Sequence, residues 1–397
     1  MKVGAFTFVV RSAPRPLTVE DFRTRARRRL PRAVWAFLEN GADDERTLRA
    51  NRQAYGQWSW RQRVLAGVDS VDLSCRVAGV ELALPVVLAP VGLVSAFHGT
   101  GDVAAARSAE RAGTRHVLST GSAHALEEVA AQSREAHWFQ LYPWGDRALT
   151  GSLIERAGRA GFGSLFVTVD VPVVGNRLGE RRLGMGVEPR VSLLGAVDAA
   201  AHPRWLAGLA RHRRITMANL APPGQRGRFD ATAQRFAVSM RPGLDWDDLR
   251  WVRSRWDGPL FVKGILDPED ARRAVQAGAD GVVVSNHGGR QLSPAPGTVS
   301  ALPAVAEMVG ERAEVLVDGG VRTGSDVAMA LALGARAVLI GRPWVYGLTV
   351  AGESGVTGVL DVLESELRRT LHLIGVDSVS RLSPHDLLRS EGLHYSS

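Results

Sequence analysis

The chain of 397 residues has almost no lysine, one cysteine and no long apolar run. Of its 49 basic residues only Lys2 and Lys263 are lysines, and the remainder are arginines. Replacement on that scale reads as coding bias, so the formal charge of +8 says little about partners. A lysine that persists at 263 against that background asks for a local reason. The lone Cys75 has nothing to form an internal disulfide with, which suits a reducing cytosol. No stretch of roughly 18 or more apolar residues predicts a membrane span. The opening MKVGAFTFVV is thin for a signal peptide, because Arg11 ends its short apolar run. Cys and His spacing for a metal site is absent, as are a GxGxxG in a first βα unit and a GxSxG elbow. These absences speak against a zinc centre, a hydrolase serine and a doubly wound dinucleotide sheet, which stays the alternative architecture.

Other classes fall on composition. Hydrophobic residues make up 45% and charged residues 23%, which excludes a disordered chain and predicts a folded globular one. The arginines are scattered among acids on the polar sides of apparent helices. Clusters such as Arg27-Arg28-Arg29 are short, so the basic charge predicts solvated surfaces and no nucleic-acid partner.

A unit recurs along the chain: a short apolar run, a loop with Gly, Pro, Asn or His, then an Ala/Arg/Glu-rich helical stretch. The runs are Leu84–Ala89, His116–Ser119, Trp138–Leu141, Ser164–Val169, Leu260–Val262, Gly281–Ser285, Glu314–Val317 and Ala337–Ile340. Strands alternating with amphipathic helices predict a parallel sheet, and eight repeats predict an α/β fold of the closed TIM (β/α)8 barrel type. Residues 1–80 form an N-terminal helical extension, in which the helix-like Val19–Asn40 would lid the bottom of the barrel. Residues 81–380 form the barrel, and residues 381–397 a C-terminal tail. Between the fourth and fifth runs, residues 178–243 show no strand pattern and contain Pro189, Pro203, Pro222 and Pro223. This reads as a long irregular loop, a type that is usually functional or mobile.

The C-terminal ends of barrel strands are where active sites form. Those ends carry Ala89-Pro90-Val91-Gly92, Ser119-Thr120-Gly121, Gln140-Leu141-Tyr142, Thr168-Val169-Asp170, Lys263-Gly264, Ser285-Asn286-His287-Gly288-Gly289-Arg290, Asp318-Gly319-Gly320-Val321-Arg322 and Gly341-Arg342. The last two groups pair glycines with arginines after strands seven and eight. Backbone N–H groups, guanidinium forks and the starts of the following helices there predict a phosphate site, on a substrate or on a cofactor. His287 lies in a loop just past an apolar strand, where an imidazole with an ordinary pKa near 6.5 suits a general base. Asp170 on another strand end can hydrogen-bond it, and Arg290 offers a planar fork for a carboxylate.

SNHGGRQL (285–292), VKGIL (262–266), FQLY (139–142), TVD (168–170) and DGGVRTGSDV (318–327) together resemble the FMN-dependent α-hydroxy-acid oxidising family. The resemblance covers roughly residues 17–392. It implies FMN over the barrel mouth, with its ring against Ala89, Pro90 and Val91 and the side chains of Ser119, Gln140, Thr168 and Lys263. Ser285 belongs to the same cofactor set, and the FMN phosphate would meet Asp318, Gly319, Gly320, Arg322, Gly341 and Arg342. It implies that His287 takes the C2 hydroxyl proton of a small-molecule (S)-2-hydroxy acid while the C2 hydrogen moves to the flavin. Asp170 would orient His287, Arg177 and Arg290 would bind the carboxylate, and Tyr142 would bond the hydroxyl or developing carbonyl. Lys263 would stabilise the reduced ring, which gives the persistent lysine its reason. Electrons would pass to O2 or to a quinone-type acceptor, in an enzyme that is cytoplasmic or peripheral on the membrane and assembles as a homo-tetramer.

One position departs from the family. Where members place a carboxylate-binding tyrosine in the first helix, LPRAVWAF (30–37) ends in Phe37. Losing one neutral hydrogen bond costs roughly 1 kcal/mol, and the departure also fits a more apolar substrate. Gly92, LSTGS (118–122), HPRW (202–205) and LSPHDLLRSEG (382–392) look similar to the (S)-mandelate dehydrogenase branch. Small residues at Gly92 and Gly121 would open the pocket to an aryl or long side chain. In that branch the loop resembling 188–225 holds the enzyme on the membrane. Here it offers Trp205, Leu206 and Leu209 beside Arg204, Arg211, Arg213 and Arg214, which suits anionic lipid, although an active-site lid is an equal reading. A lactate- or glycolate-type oxidase, a flavin barrel tailoring an amino acid or peptide, and a flavin-binding paralogue without activity are the alternatives.

Overall fold

The eight apolar runs are strands buried on both faces. In the computed structural model they are β1 (Val86–Leu88), β2 (Val117–Ser119), β3 (Trp138–Leu141), β4 (Ser164–Thr168), β5 (Leu260–Ile265), β6 (Gly281–Val284), β7 (Glu314–Asp318) and β8 (Ala337–Ile340). The structure describes residues 15–143, 145–185, 191–221, 231–234, 236 and 242–389, with the short strands Lys2–Val3 and Phe6–Thr7. Consecutive strands pair in parallel from β2 to β8, and β8 pairs with β1. A parallel bridge from Leu88 to His116 completes the ring between β1 and β2. The fold is therefore the expected TIM barrel.

Alternation along each strand divides the core in two. Val87, Val117, Trp138, Phe166, Phe261, Val283, Leu316 and Leu339 form one cluster inside the ring. Their neighbours, including Leu88, Phe139, Val167, Val262 and Val284, pack outward on the helices. Trp138, Phe166 and Phe261 stack in series, with ring centroids 5.3 and 4.8 Å apart. A strand covered on both sides has no polar face, so these runs read as nearly continuous hydrophobes.

The extension does not sit where the sequence predicts. The bottom of the barrel is closed by an antiparallel hairpin, Cys75–Val77 with Val80–Leu82, whose Val77 and Leu82 join the interior cluster. Glu314, at the start of β7, accepts a hydrogen bond from the Ala78 amide at 2.9 Å. The stretch Val19–Asn40 is two helices, α1 (Val19–Arg29) and α2 (Arg32–Glu39), divided at Leu30-Pro31 because proline cannot continue the first. The second of these and α3 (Arg46–Gln53) reach the opposite, C-terminal face. There the Ala42 amide donates to the Gly289 carbonyl at 2.8 Å, and the Thr47 hydroxyl to the Leu292 carbonyl at 2.8 Å.

The long connection after β4 is more regular than its composition predicts. It contains α4 (Leu178–Arg182), α5 (Leu193–Ala200) and α6 (Pro203–His212). Ser192 caps α5 by accepting from the Gly195 amide at 3.1 Å, and Pro203 opens α6. Pro189, Pro222 and Pro223, and the chain beyond Arg389, lie outside the described residues. At the C-terminal side, Leu387–Arg389 returns to pair antiparallel with Trp58–Trp60.

Candidate active site

A cleft opens at the C-terminal ends of the strands, and most of the residues picked from the sequence line it. They are Phe37, Ala89, Pro90, Val91, Gly92, Ser119, Gly121, Gln140, Tyr142, Thr168, Arg177, Lys263, His287, Arg290, Asp318, Gly319, Gly320, Arg322, Gly341 and Arg342. Asp170 and Ser285 stand behind that surface and act on it through neighbours. Ser285 is fully buried, accepting from Lys263 Nζ at 2.9 Å and from the His287 amide at 3.1 Å. It supports two cleft residues without reaching the cleft.

The His287 loop is held in an uncommon shape. His287, Gly288 and Gly289 all have positive φ, at 58°, 63° and 75°. Gly289 is obligatory there, since a Cβ would meet the Leu48 backbone of α3 at 2.6 Å. A left-handed histidine persists only where its surroundings over-determine it. The Asn286 side chain supplies this: its Oδ1 accepts from the Gly289 amide at 3.0 Å, and its amide pairs reciprocally with Asn51 of α3 at 2.8 and 2.7 Å.

In that position His287 Nδ1 lies 2.9 Å from Asp170 Oδ1. Burial holds the imidazole below its ordinary pKa, partly offset by the Asp170 charge, so it is neutral and able to accept a proton near neutral pH. Burial pushes Asp170 up, but the His287 ring that hydrogen-bonds it and the nearby Lys263 ammonium together more than offset this and hold it below the usual carboxylate range. Lys263 is 4% exposed, with Nζ 3.0 Å from Asp318 Oδ2. Burial alone would favour loss of its proton; the Asp318 and Asp170 charges override this and hold it above the usual lysine value. Burial raises the Tyr142 phenol to about 12, leaving it a hydrogen-bond donor.

Asp318 thus serves the lysine. Its expected place beside a phosphate would set two like charges together. The helix Gly324–Ala332 also turns its first amides elsewhere: Arg322 and Thr323 donate to Asp326, and Gly324 donates to Glu366. What remains for an anion are Gly319 and Gly320, both at positive φ, with Arg322, Gly341 and Arg342. Arg342 spans the gap to the extension, donating to the Gly288 carbonyl at 2.9 Å and to the Leu38 carbonyl at 3.1 Å.

Of the buried side-chain atoms that make no hydrogen bond among the described residues, three belong to residues lining the cleft: Gln140 Nε2, Thr168 Oγ1 and Asp318 Oδ1. An amide donor and a hydroxyl beside a buried ammonium match the polar edge of a flavin ring, and the glycine–arginine group matches its phosphate. The residues present fit FMN.

Sequence reasoning missed Glu180, which is 5% exposed between Arg177 and Arg290, and the Asn51–Asn286 pair. It also missed the apolar wall of Leu93, Phe97, Met217 and Phe236. Capping and contacts between elements far apart in the chain leave no local pattern. The i, i+3 spacing of Arg177 and Glu180 was the one available signal.

A parallel barrel with a buried ammonium, a His–Asp pair and an arginine pair at its mouth defines a flavin-type oxidoreductase of small anionic substrates. The sequence profile of the FMN-dependent dehydrogenases matches residues 26–389, and the chain belongs to that family. It is 45% identical over 366 residues to an L-lactate dehydrogenase of Caulobacter vibrioides, covering 91% of this chain and 95% of that protein. It is 41% identical to a putative L-lactate dehydrogenase of Mycobacterium tuberculosis, covering 93% and 88%. Among solved structures, the crystal structure of the monotopic membrane protein (S)-mandelate dehydrogenase superposes with a TM-score of 0.92. That pair is 37% identical over 95% of this chain and 100% of that one. Mandelate oxidase superposes at 0.79, with 36% identity over 95% and 100%. The protein is an FMN-dependent oxidoreductase acting on the CH–OH group of hydroxy acids.

Proposed function

We propose that the protein oxidises an (S)-2-hydroxy acid with a bulky or aromatic side chain to the 2-oxo acid. The observation that carries this is the cleft itself, where a His–Asp pair and two arginines face an apolar wall beside two glycines that the backbone does not require. Neither Gly92 nor Gly121 has positive φ, and a Cβ at either would meet nothing closer than 3.5 Å. Their absent side chains leave room beside Val91, Phe97 and Met217. FMN, when bound, supplies the two-electron acceptor. Arg177 and Arg290 hold the substrate carboxylate, Tyr142 donates to the hydroxyl oxygen, and His287 Nε2 takes the hydroxyl proton. Asp170 fixes the tautomer in which that nitrogen is free and stabilises the imidazolium. Lys263 holds positive charge against the flavin. Phe37 stacks on Phe97, with ring centroids 5.9 Å apart, and places an aromatic face where family members carry a phenol.

L-Lactate is the second reading, favoured by relatives of that name at 45% identity. Anaerobic addition of (S)-mandelate or L-lactate to the yellow holoenzyme separates the two. The expected outcome is faster flavin bleaching by (S)-mandelate. Faster bleaching by L-lactate supports the second reading, and no bleaching across a panel of 2-hydroxy acids overturns both.

The electron acceptor is a membrane quinone or O2, and a lipid-facing surface favours the quinone. Trp205 is not part of that surface, because its Nε1 donates to the Ala96 carbonyl at 2.8 Å. Arg214 is paired with Glu128 at 2.7 Å. The outward apolar residues are Leu206 of α6 and, more exposed, Val191, Leu193, Leu194 and Val197 of the α5 region, with Arg204, Arg211 and Arg213 exposed on and beside α6. Among the described residues no helix is long and apolar enough to cross a membrane, and the lipid contact read from this surface is of the monotopic kind.

A further inference from the structure

The two arginines assigned to the substrate carboxylate already share a carboxylate of this chain. Glu180 Oε1 accepts from Arg290 Nη2 at 2.8 Å, and Glu180 Oε2 lies 3.9 Å from Arg177 Nη1. A buried carboxylate persists only where partners offset its desolvation, and the arginines do so here.

Neither arginine relies on Glu180 alone for its position. Arg290 Nη1 donates to the Asn40 carbonyl at 2.8 Å, and its guanidinium carbon lies 5.5 Å from the centre of the Phe37 ring. Arg177 donates through Nε to the Arg290 carbonyl at 3.4 Å and through Nη2 to Gln291 Oε1 at 3.3 Å. Neutral groups therefore orient both side chains, and the distinctive contribution of Glu180 is its negative charge.

Resting on the function proposed above, we propose that Glu180 sets the affinity of this arginine pair for the carboxylates of substrate and product. It leaves the pair with one net positive charge instead of two, and it competes for Arg290 Nη2. The substrate and its 2-oxo product carry the same carboxylate, so a clamp of full charge would retain the product. With Glu180 present, Arg290 has an internal partner ready as the product leaves.

The test is titration of phenylglyoxylate into the FMN-loaded holoenzyme, with Kd read from the flavin absorption change. Glu180→Gln keeps the shape and one acceptor while removing the charge, and should tighten binding about tenfold. KM should fall with it, and kcat should fall as product release slows. Glu180→Asp keeps the charge and should stay within about threefold of the wild type. Unchanged or weaker binding by Glu180→Gln overturns the proposal and makes Glu180 an orienting residue only. A second measurement needs no variant. A half-neutralised clamp should prefer phenylglyoxylate over its neutral amide by less than about a hundredfold, and a larger preference overturns the proposal. If the wild type binds no 2-oxo acid at all, the proposed function fails and this inference fails with it. Wild-type bleaching by substrate with an unaltered Glu180→Gln variant fails this inference alone.

Discussion

The barrel mouth and the α5–α6 connection hold their side chains by opposite rules. At the mouth the charges are matched inside the protein: Lys263 with Asp318 at 3.0 Å, His287 with Asp170 at 2.9 Å, Arg290 with Glu180 at 2.8 Å. On α5 no residue is buried, and Leu193, Leu194 and Val197 are 82%, 81% and 62% exposed. The mouth is complete apart from its ligands and keeps a few buried polar atoms for them. The connection leaves apolar surface in water, and a contiguous exposed patch of that kind is the mark of an interaction site. A single substitution should therefore act on chemistry in one region and on location in the other.

The largest effect expected is at His287. His287→Ala removes the proposed proton acceptor while leaving Lys263, Gln140 and the glycine–arginine group at Gly319, Gly320 and Arg342 in place. The protein should stay yellow, and anaerobic bleaching by (S)-mandelate should slow about a thousandfold, within the range for a lost general base. Loss of colour would mean that the His287 loop holds the cofactor as well as the proton. Next comes Lys263→Arg, which keeps the charge but sets a wide planar group between Asp318 and Ser285. Flavin reduction should fall about 10- to 100-fold, the scale of a displaced charged hydrogen bond, with a smaller change in Tm. A collapse in Tm with a normal rate in the surviving holoenzyme would make Lys263 a structural residue.

The same contrast explains what could be read from the sequence. Barrel strands buried on both faces are runs of Val, Ile, Leu and Phe, and their ends carry dense motifs, so the ring and most of its mouth were legible. The connection was not. Its helices are short, and α5 turns no face to a core, so the pattern that marks a helix was missing. Only Ser192 as a cap and Pro203 as a first residue marked them, and both are easily read as loop. Long-range supports were hidden for another reason. Asn51 and Asn286 pair across 235 positions, and nothing near either residue encodes that contact. The role of the hairpin at Cys75–Leu82 was equally hidden, because closing the barrel bottom is a property of the ring and not of any local segment.

The smallest catalytic effect, and the one that separates the two regions most sharply, is expected on α5. Leu193→Ser with Leu194→Ser removes two of its most exposed apolar side chains and touches no cleft residue. Burying a leucine is worth about 1.5–3 kcal/mol when complete, and a monotopic helix buries its apolar face only partly. Cosedimentation with vesicles containing anionic lipid should therefore fall about tenfold or more. Anaerobic bleaching in solution should stay within about twofold, since neither residue reaches the proton acceptor or the arginines. Raised salt should weaken the wild-type association as well, because Arg204, Arg211 and Arg213 are exposed and screened. If bleaching slowed while vesicle binding stayed constant, α5 would act on the cleft as a lid. The two regions would then be one device, and the apolar surface would need a partner other than lipid.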